Sequence, residues 1–240
     1  MTDARADELA VNLSLVRARV DEACAAAGRE PDTVTLIVVS KTWPADDVCR
    51  LAALGVRDFG ENRDQEAAPK AAATSDLDLR WHFVGQLQTN KSASVARYAD
   101  LVHSVDRESL VAALERGAVK ADRRLGCLIE VDLTDGATGR GGASPADVPG
   151  LARAIAGSDH LDLRGVMGVA PLAGETEDQR AVSAQAFERL ADVSRRLREE
   201  YPDADLISAG MSEDLEEAVR AGATHLRVGS AVLGTRPPLG

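Results

Sequence analysis

The stretch TVTLIVVSK, residues 33–41, is an apolar, β-branched run of strand length that ends in a lysine. Apolar character without alternation marks a strand buried on both faces, and such strands belong to parallel sheets covered by helices. The residues that follow, SKTWP (40–44), contain no glycine. An open, doubly wound sheet that binds a dinucleotide carries a glycine fingerprint at this point. Upstream, residues 6–28 place Leu9, Leu13, Val16 and Val20 at three- to four-residue spacing until Gly28 and Pro31 stop the pattern, as in an amphipathic helix.

Downstream the chain alternates. Strand-like VRDFG (56–60), RWHFVG (80–85), LVHSV (101–105), LGCLIEVDL (125–133), LRGVMGVA (163–170), ADLISAG (204–210) and THLRVGSAVLG (224–234) are separated by helical runs at 45–55, 63–73, 90–97, 107–121, 145–157, 176–200 and 212–222. Strands alternating with helices form βαβ units, whose right-handed crossovers let eight of them close into a barrel. The predicted fold class is α/β: a single (β/α)8 TIM-type barrel with an extra N-terminal helix. No linker, repeat or composition shift divides the 240 residues, so one barrel domain over 1–240 is expected.

Composition removes several function classes. With 28 Lys+Arg against 39 Asp+Glu, the formal net charge of −11 opposes unspecific binding to nucleic acid or anionic membrane. Aromatic residues make up 3%, too few for base-stacking platforms. Cys24, Cys49 and Cys127 form no CxxC pair and read as small buried apolar residues in a reducing compartment. The N-terminus MTDARADELAVNL is acidic and lacks the apolar core of a signal peptide. No apolar run approaches the ~18 residues of a membrane span. A cytoplasmic protein is expected, and, without a long apolar patch, a monomer.

Barrel chemistry sits at the carboxyl ends of the strands. Lys41 closes an otherwise apolar strand there. Buried, its amine would lose its proton more readily and attack aldehydes; alternatively it snorkels to solvent or pairs with Glu61. At the last two strands, Gly210 and Ser212 precede a helix, and Gly229 and Ser230 offer an unhindered amide and a hydroxyl. These suit a phosphate at a helix N-terminus, or ordinary capping. Glu213 and Asp214 favour capping unless they point away. Arg227, inside the last strand, needs an acceptor: Glu130 in an ion pair, or a heteroaromatic nitrogen. Taken together, the lysine, phosphate cradle and inward arginine describe a ligand such as pyridoxal 5′-phosphate.

VVSKT (38–42), FGEN (59–62) with Gln65-Glu66, WHFVGQLQTNK (81–91), GMSEDLEEA (210–218) and RVGSAVLG (227–234) closely resemble the pyridoxal phosphate homeostasis proteins, the YggS/PROSC type, in the same order along the chain. The resemblance implies an alanine racemase N-terminal barrel that binds pyridoxal phosphate as a Schiff base on Lys41. It implies phosphate-binding positions at Ser212, Gly229 and Ser230, Arg227 near the pyridine nitrogen, and Asn62, Met167, Ser208 and Met211 lining the pocket. Ser230 stands where many members have threonine and keeps the hydroxyl. The Gly-rich loop at 135–142 lacks the lysine common elsewhere, so no role is carried onto Arg140. Arg63-Asp64 replaces a more usual aromatic-aliphatic pair.

Two function classes compete: a carrier that supplies the cofactor to apo-enzymes, and a small amino-acid racemase. Racemisation needs acid and base on opposite faces of the substrate. The tyrosines, Tyr98 and Tyr201, fall toward the amino ends of strands, and alanine racemases take theirs from a C-terminal β domain of the partner subunit, for which no counterpart is expected in these 240 residues. His82 and His103 read as hydrogen-bonded core residues. Arginine at a ring nitrogen also weakens the electron sink. The expectation is a carrier, not an enzyme, with no metal site. An interaction protein with a vestigial site would require Lys41 to be unmodified.

Overall fold

Asp3 caps the first helix by accepting from the amides of Arg5 and Ala6 at 3.1 and 3.3 Å. The computed structural model describes residues 3–134, 141–173 and 178–234. In order these form α1 (Ala4–Ala26), β1 (Thr35–Val39), α2 (Ala45–Ala53), β2 (Asp58–Glu61), α3 (Asp64–Ala73), β3 (Arg80–Phe83), α4 (Ser92–Val95), β4 (Leu101–Val105), α5 (Glu108–Ala121), β5 (Leu125–Glu130), α6 (Val148–Ala156), β6 (Leu161–Met167), α7 (Gln179–Glu200), β7 (Leu206–Ser208), α8 (Leu215–Arg220), β8 (His225–Val228) and α9 (Ser230–Leu233). Eight parallel strands pair in sequence order, and β8 returns to β1 to close the barrel. This is the predicted (β/α)8 fold.

Closure explains the patternless apolar character of β1: it is hydrogen-bonded to β2 and β8, and Ile37 and Val38 are fully buried. On α1, Leu9, Leu13, Val16, Val20 and Cys24 form the buried stripe, which packs against α8 and α9. Between β6 and β7 the backbones approach so closely that a Cβ on Gly165, at φ +143°, would lie 1.9 Å from the Leu206 carbonyl oxygen. Only glycine fits there. The register of β5 against β6 shifts beside it, between Cys127 and Leu128.

Three expectations are corrected. The eighth strand does not run to Gly234: it ends at Val228, and Ser230–Leu233 is a short helix. The apolar run there buries Val232 and Leu233, and an apolar run this short does not distinguish strand from helix. The fifth strand ends at Glu130, beyond which Val131 makes one isolated bridge to Ala143. Cys24 and Cys127 are buried, but Cys49 is exposed, because α2 buries Asp47, Val48, Leu51 and Ala52 and turns position 49 outward. No helix among the described residues is long and apolar enough to cross a membrane. Residues 135–140 of the Gly-rich loop, with Arg140, lie outside the described residues.

Candidate functional site

Lys41 follows β1 at the carboxyl rim, and it is exposed rather than buried. Its neighbours are tightly held. The Ser40 carbonyl accepts from Lys70 Nζ at 2.7 Å and from the Trp43 amide at 3.1 Å. Thr42 takes a left-handed backbone, φ 69°, uncommon for a β-branched residue, and its amide donates to Glu66 Oε2 at 2.6 Å. The backbone around the lysine is therefore fixed on both sides while its side chain reaches solvent.

Glu61 does not pair with Lys41. Its Oε1 accepts from Lys70 Nζ at 2.5 Å and from Ser40 Oγ at 2.8 Å, while Oε2 is buried with no partner. Burial raises the Glu61 pKa even though Lys70 and Ser40 act against it. The buried lysine of this rim is thus Lys70, on α3. It was legible in one respect: α3 buries Asp64, Ala67, Lys70 and Ala71, so a lysine falls on the inward stripe and demands a partner.

Across the β1–β8 seam, Ile37 is in register with Arg227, and a Cβ on Gly229 would lie 3.2 Å from the Val39 carbonyl. Arg227 is buried. Its Nη1 donates to Ser208 Oγ at 2.7 Å and its Nη2 to the Gly168 carbonyl at 3.0 Å. No carboxylate among the described residues forms an ion pair with it, so the Glu130 pairing is not observed. Burial lowers the Arg227 pKa to about 10, against the charges of Asp214 and Glu130, and the guanidinium stays charged at neutral pH. Glu130 is pushed up to about 7, by burial first and then by Asp106, with Arg227 opposing.

The turn after β7 solves the problem its acids pose. Asp214 is buried and accepts from the Met211 amide at 2.7 Å, while Glu213 is exposed. Ser212 and Ser230 bring their hydroxyls together, 3.3 Å apart. The first amides of α9, at Ser230 and Ala231, lie beyond intrahelical bonding. The extra helix α1 clamps these turns: Arg19 donates to the Ser212 carbonyl at 3.1 Å, Asn12 to that of Val232 at 3.1 Å, and Arg5 to that of Leu233 at 3.0 Å.

The nine expected residues lie within, end or follow β1, β2, β6, β7 and β8, five consecutive staves of the closed barrel, so the fold gathers them on one arc of the rim. Within that arc, Met167 is buried in register with Ser208, and Met211 is 42% exposed. Asn62 lines a concavity of about 510 Å³ with Glu66, Gln86 and Lys91. Met211 lines a second, of about 300 Å³, with Gln86, Glu130 and Asp132. A larger hollow, about 630 Å³, lies at the opposite face around Asp162 and Tyr201–Asp205, away from these residues.

Arg63, in the departing pair, is exposed and 3.6 Å from Glu66. Tyr201 ends α7 before β7, as expected. The Tyr98 hydroxyl is buried in the field of Asp64 and Glu61, closer to the carboxyl face than its place in the sequence implies; burial holds it protonated. His82 and His103 are buried and hydrogen-bonded, as read.

Residues 11–237 match the family described as alanine racemase, N-terminal domain. The chain is 41% identical over 228 residues to the pyridoxal phosphate homeostasis protein of Pseudomonas aeruginosa, covering 95% of this chain and 96% of that protein. PipY of Synechococcus elongatus PCC7942, solved with PLP bound, is 33% identical with a TM-score of 0.78, covering 94% of this chain and 100% of that chain. An alanine racemase of Clostridium difficile 630 shares the fold alone, with a TM-score of 0.74 at 15% identity; the match covers 96% of this chain and 57% of the racemase. The chain belongs to the pyridoxal phosphate homeostasis protein family.

Proposed function

We propose that this chain binds pyridoxal 5′-phosphate covalently at Lys41 and acts as a carrier that hands the cofactor to apo-enzymes. The observation that carries the reading is the exposed Lys41 amine on a backbone pinned by Lys70 and Glu66, on the same arc as Arg227 and the paired hydroxyls of Ser212 and Ser230. The residues fit the group. Two hydroxyls and the opening amides of α9 would receive phosphate oxygens, with Asp214 turned inward, and Arg227, held by Ser208 and the Gly168 carbonyl, would donate to a ring nitrogen. The ligand supplies an aldehyde, which a lysine amine converts to a C=N linkage with loss of water. Asn62, Met167, Ser208, Met211 and Gly229 would complete the wall and floor.

Carrier is favoured over racemase by the placement of acids and bases. Racemisation needs a second proton group facing Lys41. The Tyr98 hydroxyl is buried, and Tyr201 lies at the amino end. A guanidinium cannot protonate a ring nitrogen, so the electron sink stays weak. The test is an absorption spectrum of protein incubated with pyridoxal phosphate, then borohydride reduction and peptide mapping. A visible band and a mass increment on the Lys41 peptide, with transfer to an apo-enzyme and no amino-acid turnover, are expected. An unmodified Lys41 overturns the reading in favour of an interaction protein, and turnover with inversion overturns the carrier role.

A further inference from the structure

A buried hydrogen-bonded chain runs from the rim residue Arg227 to Asp58, at the amino end of β2. Arg227 Nη1 reaches Ser208 Oγ at 2.7 Å, and Ser208 Oγ lies 2.9 Å from His103 Nδ1. His103 Nε2 lies 3.0 Å from His82 Nδ1, and His82 Nε2 lies 3.0 Å from Asp58 Oδ1. Asp58 also accepts from Arg80 Nε and Nη2 at 2.7 and 2.6 Å. Ser208, His103 and His82 are at most 1% exposed, so the chain is shielded from bulk solvent.

Both ends are fixed in polarity. A guanidinium only donates, and an ionised carboxylate only accepts. Asp58 is ionised: burial works against it, but the bonds from Arg80 and His82 outweigh burial and hold its pKa well below the carboxylate range. His103 is neutral, because burial and then the charges of His82 and Arg227 push its pKa far down. Where His82 carries a single proton, one assignment satisfies every link. His82 gives its Nε2 proton to Asp58, His103 gives its Nε2 proton to His82, and Ser208 gives its hydroxyl proton to His103 and accepts from Arg227. A doubly protonated His82 would reverse the two middle links, put the His103 proton on Nδ1 and free the Ser208 proton.

We propose that Asp58, His82 and His103 are positioning residues that turn the Ser208 hydroxyl proton away from the ligand site and hold Arg227 as the donor facing it. None of the three needs to touch the ligand. This deepens the proposed function and rests on its placing of Arg227 at the ring nitrogen.

The test has two readouts. Nitrogen-15 NMR of histidine-labelled protein without ligand at pH 7.5 should show His82 and His103 both as neutral Nε2–H tautomers. A Nδ1–H tautomer or a doubly protonated ring at either position overturns the proposal, whatever the protein binds. Second, His82→Phe should shift the visible absorption maximum of the pyridoxal phosphate complex and weaken binding about two- to tenfold, the worth of one net hydrogen bond. Ser208→Ala should reproduce that shift and Ser208→Thr should restore the wild-type maximum. An unchanged spectrum and affinity in a folded His82→Phe protein overturns the proposal. A wild-type protein with no visible band instead refutes the ligand assignment and leaves the tautomer result standing.

Discussion

Lys70→Met is the substitution that most directly tests how the rim is built. The Lys70 side chain is 10% exposed and its Glu61 partner 1%, with their charged atoms 2.5 Å apart. Methionine keeps much of the apolar stem but leaves Glu61 with one donor, Ser40 Oγ at 2.8 Å, and with Oε2 still unpartnered. Stranding one member of a buried pair costs about 3–5 kcal/mol. The loss should depend on pH. Glu61 already has a raised pKa through burial, and removing Lys70 raises it further.

A carboxyl group whose folded pKa exceeds its unfolded value binds its proton more tightly when folded. The penalty is therefore full above the folded pKa and fades as pH falls toward the unfolded one. Urea unfolding at pH 8 should show the whole loss, and at pH 5 a smaller one. Adding Glu61→Gln to Lys70→Met should recover most of the stability at pH 8, because a neutral amide no longer needs the ammonium. Equal losses at both pH values with no recovery in the double variant would refute the reasoning and assign the role of Lys70 to packing of its stem.

Lys41→Ala should abolish the borohydride-trapped adduct while changing stability by less than about 0.5 kcal/mol, since the side chain is exposed; a trapped adduct on another lysine of the rim would contradict this. Gly165→Ala drives a Cβ against the Leu206 carbonyl at a positive φ, and a loss of about 3 kcal/mol or more in urea unfolding is expected, with a loss under about 1 kcal/mol as the contrary result. Glu130 has its pKa pushed up from 4.5 to about 7. The folded chain thus holds that proton more tightly than the unfolded chain, and stability falls as pH rises through this window, by at most about 3 kcal/mol. Glu130→Gln should flatten that fall in thermal unfolding between pH 4.5 and pH 8, and parallel wild-type and variant curves would refute it.

Much of the fold is local information. The three- to four-residue spacing of Leu9, Leu13, Val16 and Val20 and the apolar run of β1 each declare one element within a few residues, and eight alternations leave few ways to close a sheet. The carboxyl-end rule then places Lys41, Asn62, Ser208, Ser212, Arg227 and Ser230 on one rim before any contact is known. Where local pattern is ambiguous, the structure departs from it: the apolar residues after Gly229 make a helix, and Cys49 faces solvent.

Pairing across the barrel was left to tertiary structure, because it joins residues far apart in the chain. His103 meets Ser208 across 105 positions and His82 meets Asp58 across 24. The sequence names Glu61 and offers Lys41 as its neighbour in space, but α3 delivers Lys70 instead and leaves the Lys41 amine in solvent. Periodicity records which side of an element is buried, which is enough to build the barrel. Which buried charge meets which depends on strand register and stagger, and those exist only once the barrel has closed.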